Sequence, residues 1–409
     1  MTAALQRLAS ERHVVVCCGT GGVGKTTVSA ALALAAARAG RDALVVTIDP
    51  AKRLADTLGL RGVGNISHEV PRERWDPESR APVGGRLSAL MLDTRSTFDA
   101  LVATYAADED QAQRILENRF YRNIAGALSG TQEYMAMEKL HEVHSEGGYD
   151  LIVVDTPPTR HALDFLDAPA RLLRLLDNRI FRFLMLPTRT SLRVAGVAVH
   201  GFLRTVGKVL GTEVIDDIVA FFRAFEGMEA GFRSRASEVT TLLGDQGTAF
   251  VLVTSPRRDA VHEAEYFAER LRDSEYTVAA LVVNRVHPTF DAAGAPTPAA
   301  ALRARASDLA ALAPDAEPEV AAAARRLAAR HGALADDVDL AERERTQLAH
   351  VALRIGAHAV AYVPALTHDV VDFAALATVA DHLLLDDRLG DVRPADDGVS
   401  GVGSSEGTG

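Results

Sequence analysis

The chain has 409 residues, 48% of them hydrophobic and 24% charged, enough for one large domain with insertions or for two domains. Its formal net charge of −11 argues against a surface that binds nucleic acid non-specifically. The only 2 cysteines, Cys17 and Cys18, are adjacent, so they supply neither a disulfide framework nor a metal site by themselves.

Met1 to Arg12 is polar and short and does not read as a secretory leader. No apolar run is long enough to span a membrane, so the expectation is a cytoplasmic protein, at most peripheral to a membrane surface. His13 to Cys18 is an apolar run suited to a buried strand, and Val28 to Ala39 is an apolar helix with Gly40 as its stop. Between them stands Gly19-Thr20-Gly21-Gly22-Val23-Gly24-Lys25-Thr26-Thr27, which fits G-x-x-x-x-G-K-[ST] in full. Glycines let backbone N–H groups of Gly21, Gly22, Val23 and Gly24 turn inward around phosphate oxygens, and the helix start adds its positive end. Lys25 brings a cation to the β- and γ-phosphates, the Thr26 hydroxyl can ligate Mg²⁺, and Thr27 completes the loop.

Further strands are expected at Ala43 to Ile48, Leu87 to Leu92, Leu151 to Val154, Ala249 to Val253, Val278 to Val283 and Ala357 to Val363. Residues 61 to 86, rich in Gly, Pro, Arg and Glu, read as an exposed loop. Residues 95 to 146 read as helices, with turn signals near Asp108 and at Gly126 to Gly130. Residues 164 to 245 show no strand pattern; Ile215, Ile218, Val219, Phe222 and Phe225 recur at helical spacing. Residues 297 to 356 are Ala-rich and read as further helices, and 386 to 409 as a disordered Gly/Ser/Asp-rich tail. Strands alternating with helices predict an α/β fold: a doubly wound, mainly parallel sheet over residues 1 to 385 with a helical insertion at 164 to 245. Ligands on such sheets sit at the carboxyl ends of the strands, where the glycine loop, Asp49, Asp155, Asn284 and Pro364 all fall.

Two carboxylates belong to this edge. Asp155 ends an apolar strand, where it can hold Mg²⁺ through water or simply cap a helix. Asp49, also at a strand end, can orient an attacking water or act as a cap.

Gly-Gly-Val-Gly-Lys-Thr-Thr, then Thr47-Ile48-Asp49-Pro50-Ala51, then Asp155-Thr156-Pro157-Pro158-Thr159-Arg160-His161 resembles the family of arsenical pump-driving and tail-anchored-protein targeting ATPases. That family belongs to the deviant Walker A class of P-loop ATPases, and the resemblance extends over about residues 12 to 385. It implies ATP and Mg²⁺ as cofactors, Asp49 as the switch I residue that positions water, and a switch II at Asp155 to His161. It further implies that Asn284 binds adenine and that Tyr362-Val363-Pro364-Ala365-Leu366 is the adenine loop. The partner it implies is a second subunit. A paralogue in a heterodimer fits here, because the variant with Thr20 resembles actinobacterial members that occur in pairs.

The departures are specific. The class usually carries at Thr20 a lysine that crosses to the partner's nucleotide, and Arg160 is a candidate replacement. The Cys-x-x-Cys zinc pair of the targeting ATPases is missing, as are arsenite-binding cysteines, which argues against an arsenic-pump role. From Ala168 to Gly211 the chain holds Arg171, Arg174, Arg179, Arg182, Arg189, Arg193, Arg204 and Lys208 against Asp177 alone. Such a stretch suits a protein client, a membrane surface, or a helical subdomain that solvates its arginines. The expected function is a Mg²⁺-dependent ATPase that moves this subdomain. A regulatory subunit with little turnover is the alternative, and no nucleic-acid partner is expected.

Overall fold

A run without polar side chains has no face to offer to water, and Val14–Cys18 becomes a central strand buried on both sides. The computed structural model of the protein describes residues 4–48, 65–77, 84–124, 131–157, 162–177, 212–288, 291–292, 295–314 and 316–385. The strands, in chain order, are β1 (Val14–Cys18), β2 (Ala43–Thr47), β3 (His68–Glu69), β4 (Leu87–Met91), β5 (Leu151–Asp155), β6 (Thr248–Thr254), β7 (Val278–Val286), β8 (Asp291–Ala292), β9 (Ala295–Pro296) and β10 (Val360–Pro364). Eight of them form one sheet in the order β10-β7-β6-β1-β5-β2-β4-β3, while β8 and β9 make a separate ribbon. Every pairing in the large sheet is parallel except that of the short edge strand β3 with β4. The parallel strands therefore all end on one edge, and β1 lies between β6 and β5, where the winding changes direction.

The helices are α1 (Ala4–Glu11), α2 (Lys25–Arg38), α3 (Arg72–Trp75), α4 (Thr94–Tyr105), α5 (Glu109–Leu116), α6 (Arg119–Ile124), α7 (Thr131–Glu146), α8 (Ala162–Asp177), α9 (Thr212–Ala224), α10 (Glu229–Gly244), α11 (Arg258–Asp273), α12 (Ala299–Leu312), α13 (Pro318–Ile355) and α14 (Phe373–Leu385). The two-residue alternation of a strand divides the core. Val15 and Cys17 face one layer, with α1, α2 and α14, and Val14, Val16 and Cys18 face the other, with α7, α10, α11 and the end of α13. Helix α2 is apolar around most of its surface because it packs against the sheet on one side and α14 and α1 on the others. Burial pushes the Cys17 thiol up to about 12 and the Cys18 thiol higher still, which keeps both as inert core residues.

Beyond the second layer the helices build a core of their own. Phe221, Phe225 and Phe232 are buried in it beside Tyr121. Of the residues that recur at helical spacing, Phe225 is buried, whereas Phe222 lies at the margin and Ile218 is half-buried. The turn signal at Asp108 is a helix cap: its carboxylate accepts from the Gln111 N–H at 2.7 Å. The second turn signal, Gly126 to Gly130, lies outside the described residues, as do residues 178–211 with most of the basic stretch and the 386–409 tail.

One ion pair is buried where α7 meets α10. Glu138, 2% exposed, is paired with Arg235, its Oε1 2.8 Å from Nε, and Arg235 Nε donates to the Tyr105 hydroxyl at 3.1 Å while Nη1 meets His141 Nδ1 at 2.5 Å. Burial pushes the Glu138 carboxyl up to about 7 against the pull of Arg235, and burial with Arg235 alongside holds His141 below its ordinary value.

The Ala-rich segment forms a helical hairpin. Ala299 and Leu302 of α12 meet Ala335 and Val338 of α13, and Ala313 meets Ala321 and Ala324 nearer the tip. Only the later part of α13, with Leu348, Val351, Ala352 and Ile355, enters the core beneath the sheet.

Two stretches differ from their sequence reading. The N-terminal segment is a helix whose Leu5 and Leu8 are buried against the first layer. The described parts of the expected loop at 61–86 contain β3 and α3, and Trp75 is buried with its indole N–H donating to the Val70 carbonyl at 3.1 Å. Leu5 and Leu8 are buried through contacts of α1 with α2 and α14, and Trp75 beside the edge strand β3; both are tertiary effects that local composition does not carry.

Candidate functional site

The glycine loop leaves β1 between β6 and β5. A Cβ on Gly19 would stand 2.1 Å from the Val253 carbonyl oxygen, so only glycine can pass this close to β6. Gly24 caps α2 with a φ of +94°, and a Cβ there would stand 2.2 Å from Asn284 Nδ2. Gly21 and Gly22 form the exposed rim, and Val23 is buried as the loop's apolar anchor. Lys25 opens α2, is 5% exposed, and donates from Nζ to the Thr20 carbonyl at 2.8 Å. The ammonium thus lies across the loop that it closes. Thr27 follows, half-buried, in the first turn.

Asp155 is fully buried at the end of β5, opposite Cys17 on one side and Thr47 on the other. Its Oδ2 accepts from the Thr26 hydroxyl at 2.7 Å and from the Thr47 hydroxyl at 3.0 Å. Thr156 then ties the exit of β5 to the base of the loop, donating its hydroxyl to the Cys17 carbonyl at 2.8 Å. A carboxylate and hydroxyl oxygens converging beside a phosphate-type loop are hard donors of the kind Mg²⁺ takes. Sequence reasoning missed Thr47. The available signal was a polar residue closing an otherwise apolar buried strand just before Asp49.

Asn284 lies on the opposite flank of the loop. Its Nδ2 donates to the Val23 carbonyl at 2.8 Å, and its Oδ1 accepts from the Arg285 N–H at 3.0 Å. Pro364 ends β10 next to Val286, half-buried, on the same edge. Arg285, also absent from the sequence reading, donates from Nη1 to the Gly22 carbonyl at 3.2 Å. The structure therefore gathers Lys25, Thr26 and Asp155 on one flank, and Asn284 and Pro364 on the β7–β10 flank. Asp49, Arg160 and His161 lie outside the described residues. Among the described residues no three His, Cys, Asp or Glu side chains cluster as metal ligands.

A glycine loop on a helix start, its lysine and threonine, and an aspartate ending the neighbouring parallel strand define a P-loop nucleoside triphosphatase. The chain belongs to the anion-transporting ATPase family, whose model matches residues 12–305, and is an ATP hydrolase of that family. It is similar to a protein named ATPase get3 from Aspergillus terreus, 27% identical over 271 residues, which cover 66% of this chain and 71% of that one. A protein of the same name from Neurospora crassa is 26% identical over 270 residues, covering 66% and 71% of the two chains. ATPase GET3 of Phaeosphaeria nodorum is 27% identical over 272 residues, covering 66% and 74%. No helix among the described residues is long and apolar enough to cross a membrane.

Proposed function

We propose that this chain is a Mg²⁺-dependent ATPase whose nucleotide state moves its helical layer against a partner. The observation that carries the reading is the pair made by Thr26 and Asp155 beside Lys25, at the mouth of the glycine loop. Mg²⁺, held by Thr26 and through water by Asp155, would neutralise charge on the β- and γ-phosphates. Lys25 exchanges its bond to the Thr20 carbonyl for phosphate oxygens, and loop N–H groups from Gly21 to Thr27 take the rest. Asp49 orients the attacking water. Asn284 and Pro364 receive adenine; a side-chain amide has two N–H donors and two acceptor lone pairs, so Asn284 can serve the base as well as the loop.

The catalytic unit spans residues 1 to 385, with the helical insertion at 164 to 245 as its output toward a protein client or a membrane surface. Thr20 is uncharged, so a dimer with a paralogue that supplies a cation suits this loop. The test is ATP turnover by the purified chain with Mg²⁺ and with chelator, next to Lys25→Ala. Mg²⁺-dependent turnover and nucleotide binding weakened by roughly 100-fold in the variant support the reading. Binding indifferent to Lys25 overturns it. Tight Lys25-dependent binding without turnover, alone or with a paralogue, would make the chain a regulatory subunit.

A further inference from the structure

Arg285 is the penultimate residue of β7, and its backbone is left-handed, with a φ of +63°. An arginine enters that region only when its surroundings hold it there. Two features do so. Val363 of β10 pairs with Asn284 and Pro364 pairs with Val286, so Arg285 is an extra residue in the ladder. The peptide turned out of the ladder is satisfied by Asn284, whose Oδ1 accepts the Arg285 N–H at 3.0 Å. A bulge of this kind re-aims a side chain, and here it sends an exposed guanidinium to the glycine loop, where Nη1 meets the Gly22 carbonyl at 3.2 Å. That bond uses one of five N–H donors in a group whose fork matches phosphate oxygens.

The two flanks of the loop set which part of a nucleotide this cation faces. Thr26 and Asp155, toward β5 and β2, would hold a metal and so mark the end of the loop that takes the terminal phosphates. The other end of a nucleotide seated on the loop leaves toward β6, β7 and β10, where Arg285 lies. We infer that Arg285 is a nucleotide-binding residue whose guanidinium contacts the α-phosphate and ribose end, the part that ATP and ADP share. The inference rests on the loop being the nucleotide site.

The test is titration of ADP and of ATP with wild type, Arg285→Ala, Arg285→Gly and Arg285→Lys, with melting temperatures measured without nucleotide. Glycine accepts the left-handed backbone, so Arg285→Gly removes the cation without forcing a new backbone conformation. Arg285→Ala and Arg285→Gly should weaken ADP and ATP by the same factor, about tenfold, and lysine should recover part of it. KM for ATP should rise by that factor with kcat at saturation kept, as for a contact made equally in ground and transition states. ADP affinity unchanged in Arg285→Gly overturns the inference. So does a loss confined to ATP with a fall in kcat, which would put the guanidinium at the terminal phosphate. Binding that depends on Lys25 but not on Arg285 overturns this inference alone, whereas binding indifferent to both removes the nucleotide site itself.

Discussion

Thr26, in the first turn of α2, donates its hydroxyl to Asp155 at 2.7 Å across 129 residues of sequence. That bond joins the glycine loop to the end of β5, where the third sequence motif, Asp155 to His161, begins. Thr47 holds the same oxygen from β2, the strand that leads to Asp49. One carboxylate oxygen thus connects all three sequence motifs.

Asp155→Asn keeps the shape of this junction and removes its charge. Turnover should fall roughly 10- to 100-fold, as for the loss of a group that acts on a metal through water, and the Mg²⁺ requirement should rise. Nucleotide affinity measured in chelator should stay near wild type. Mg²⁺ titrations of turnover in the two proteins decide it; an unchanged half-saturation would remove Asp155 from the metal's shell.

Asp49→Asn separates binding from chemistry. Orienting water matters in the transition state, so ATP affinity should stay within several-fold while turnover falls about 100-fold or more. Single-turnover hydrolysis beside equilibrium binding makes the comparison. Near wild-type hydrolysis would assign Asp49 to helix capping instead.

The Glu138–Arg235 pair predicts a pH dependence of stability. Burial raises the Glu138 carboxyl from 4.5 to about 7, so between those values the folded chain keeps a proton that the unfolded chain gives up. Stability from this group is therefore full below about pH 4.5 and lost as pH rises through about 7, a change on the order of 3 kcal/mol. Glu138→Gln does not titrate and should gain on wild type across that window. Denaturant unfolding of both proteins at pH 5 and pH 8 measures it, and a constant difference between them would mean that Arg235 holds the carboxylate ionised throughout.

Trp75 tests the part of the chain that reads as loop. The side chain is 2% exposed beneath the sheet's edge. Trp75→Ala should destabilise the protein by about 3–5 kcal/mol, as for other buried aromatics truncated to a methyl group. Thermal unfolding reads the change; a shift within error would mean that this edge contributes little to the cooperative fold.

The sheet and the loop were legible because their signals are local. Val14 to Cys18 and Leu151 to Val154 are apolar without interruption, which only a strand covered on both faces tolerates. The glycine loop declares itself through spacing alone. Trp75 was not legible, since it is a lone apolar residue in polar surroundings, and Leu5, Leu8 and Ala9 form a stripe of barely one helical turn; distant layers decide the burial of both. Arg285 could not be found because its contact with Gly22 depends on a bulge set by register with β10. The pairing of Glu138 with Arg235 likewise appears only once α7 and α10 pack together.

The long helix α13 has mechanical consequences. Glu344, within its length, accepts from the His287 backbone N–H at 2.8 Å, so the helix is pinned to the chain two residues beyond Arg285. Residues 318 to 340 of the same helix extend away from that pin for about 35 Å at 1.5 Å per residue. A tilt of only about 5° at the pin displaces the far end by about 3 Å, comparable to the rise of two helical residues. Motion too small to disturb hydrogen bonds at the sheet edge thus becomes, at the tip around Leu312 and Val320, a step of molecular size. Both side chains there are exposed, at 62% and 57%, and would carry that step directly into the solvent around the tip.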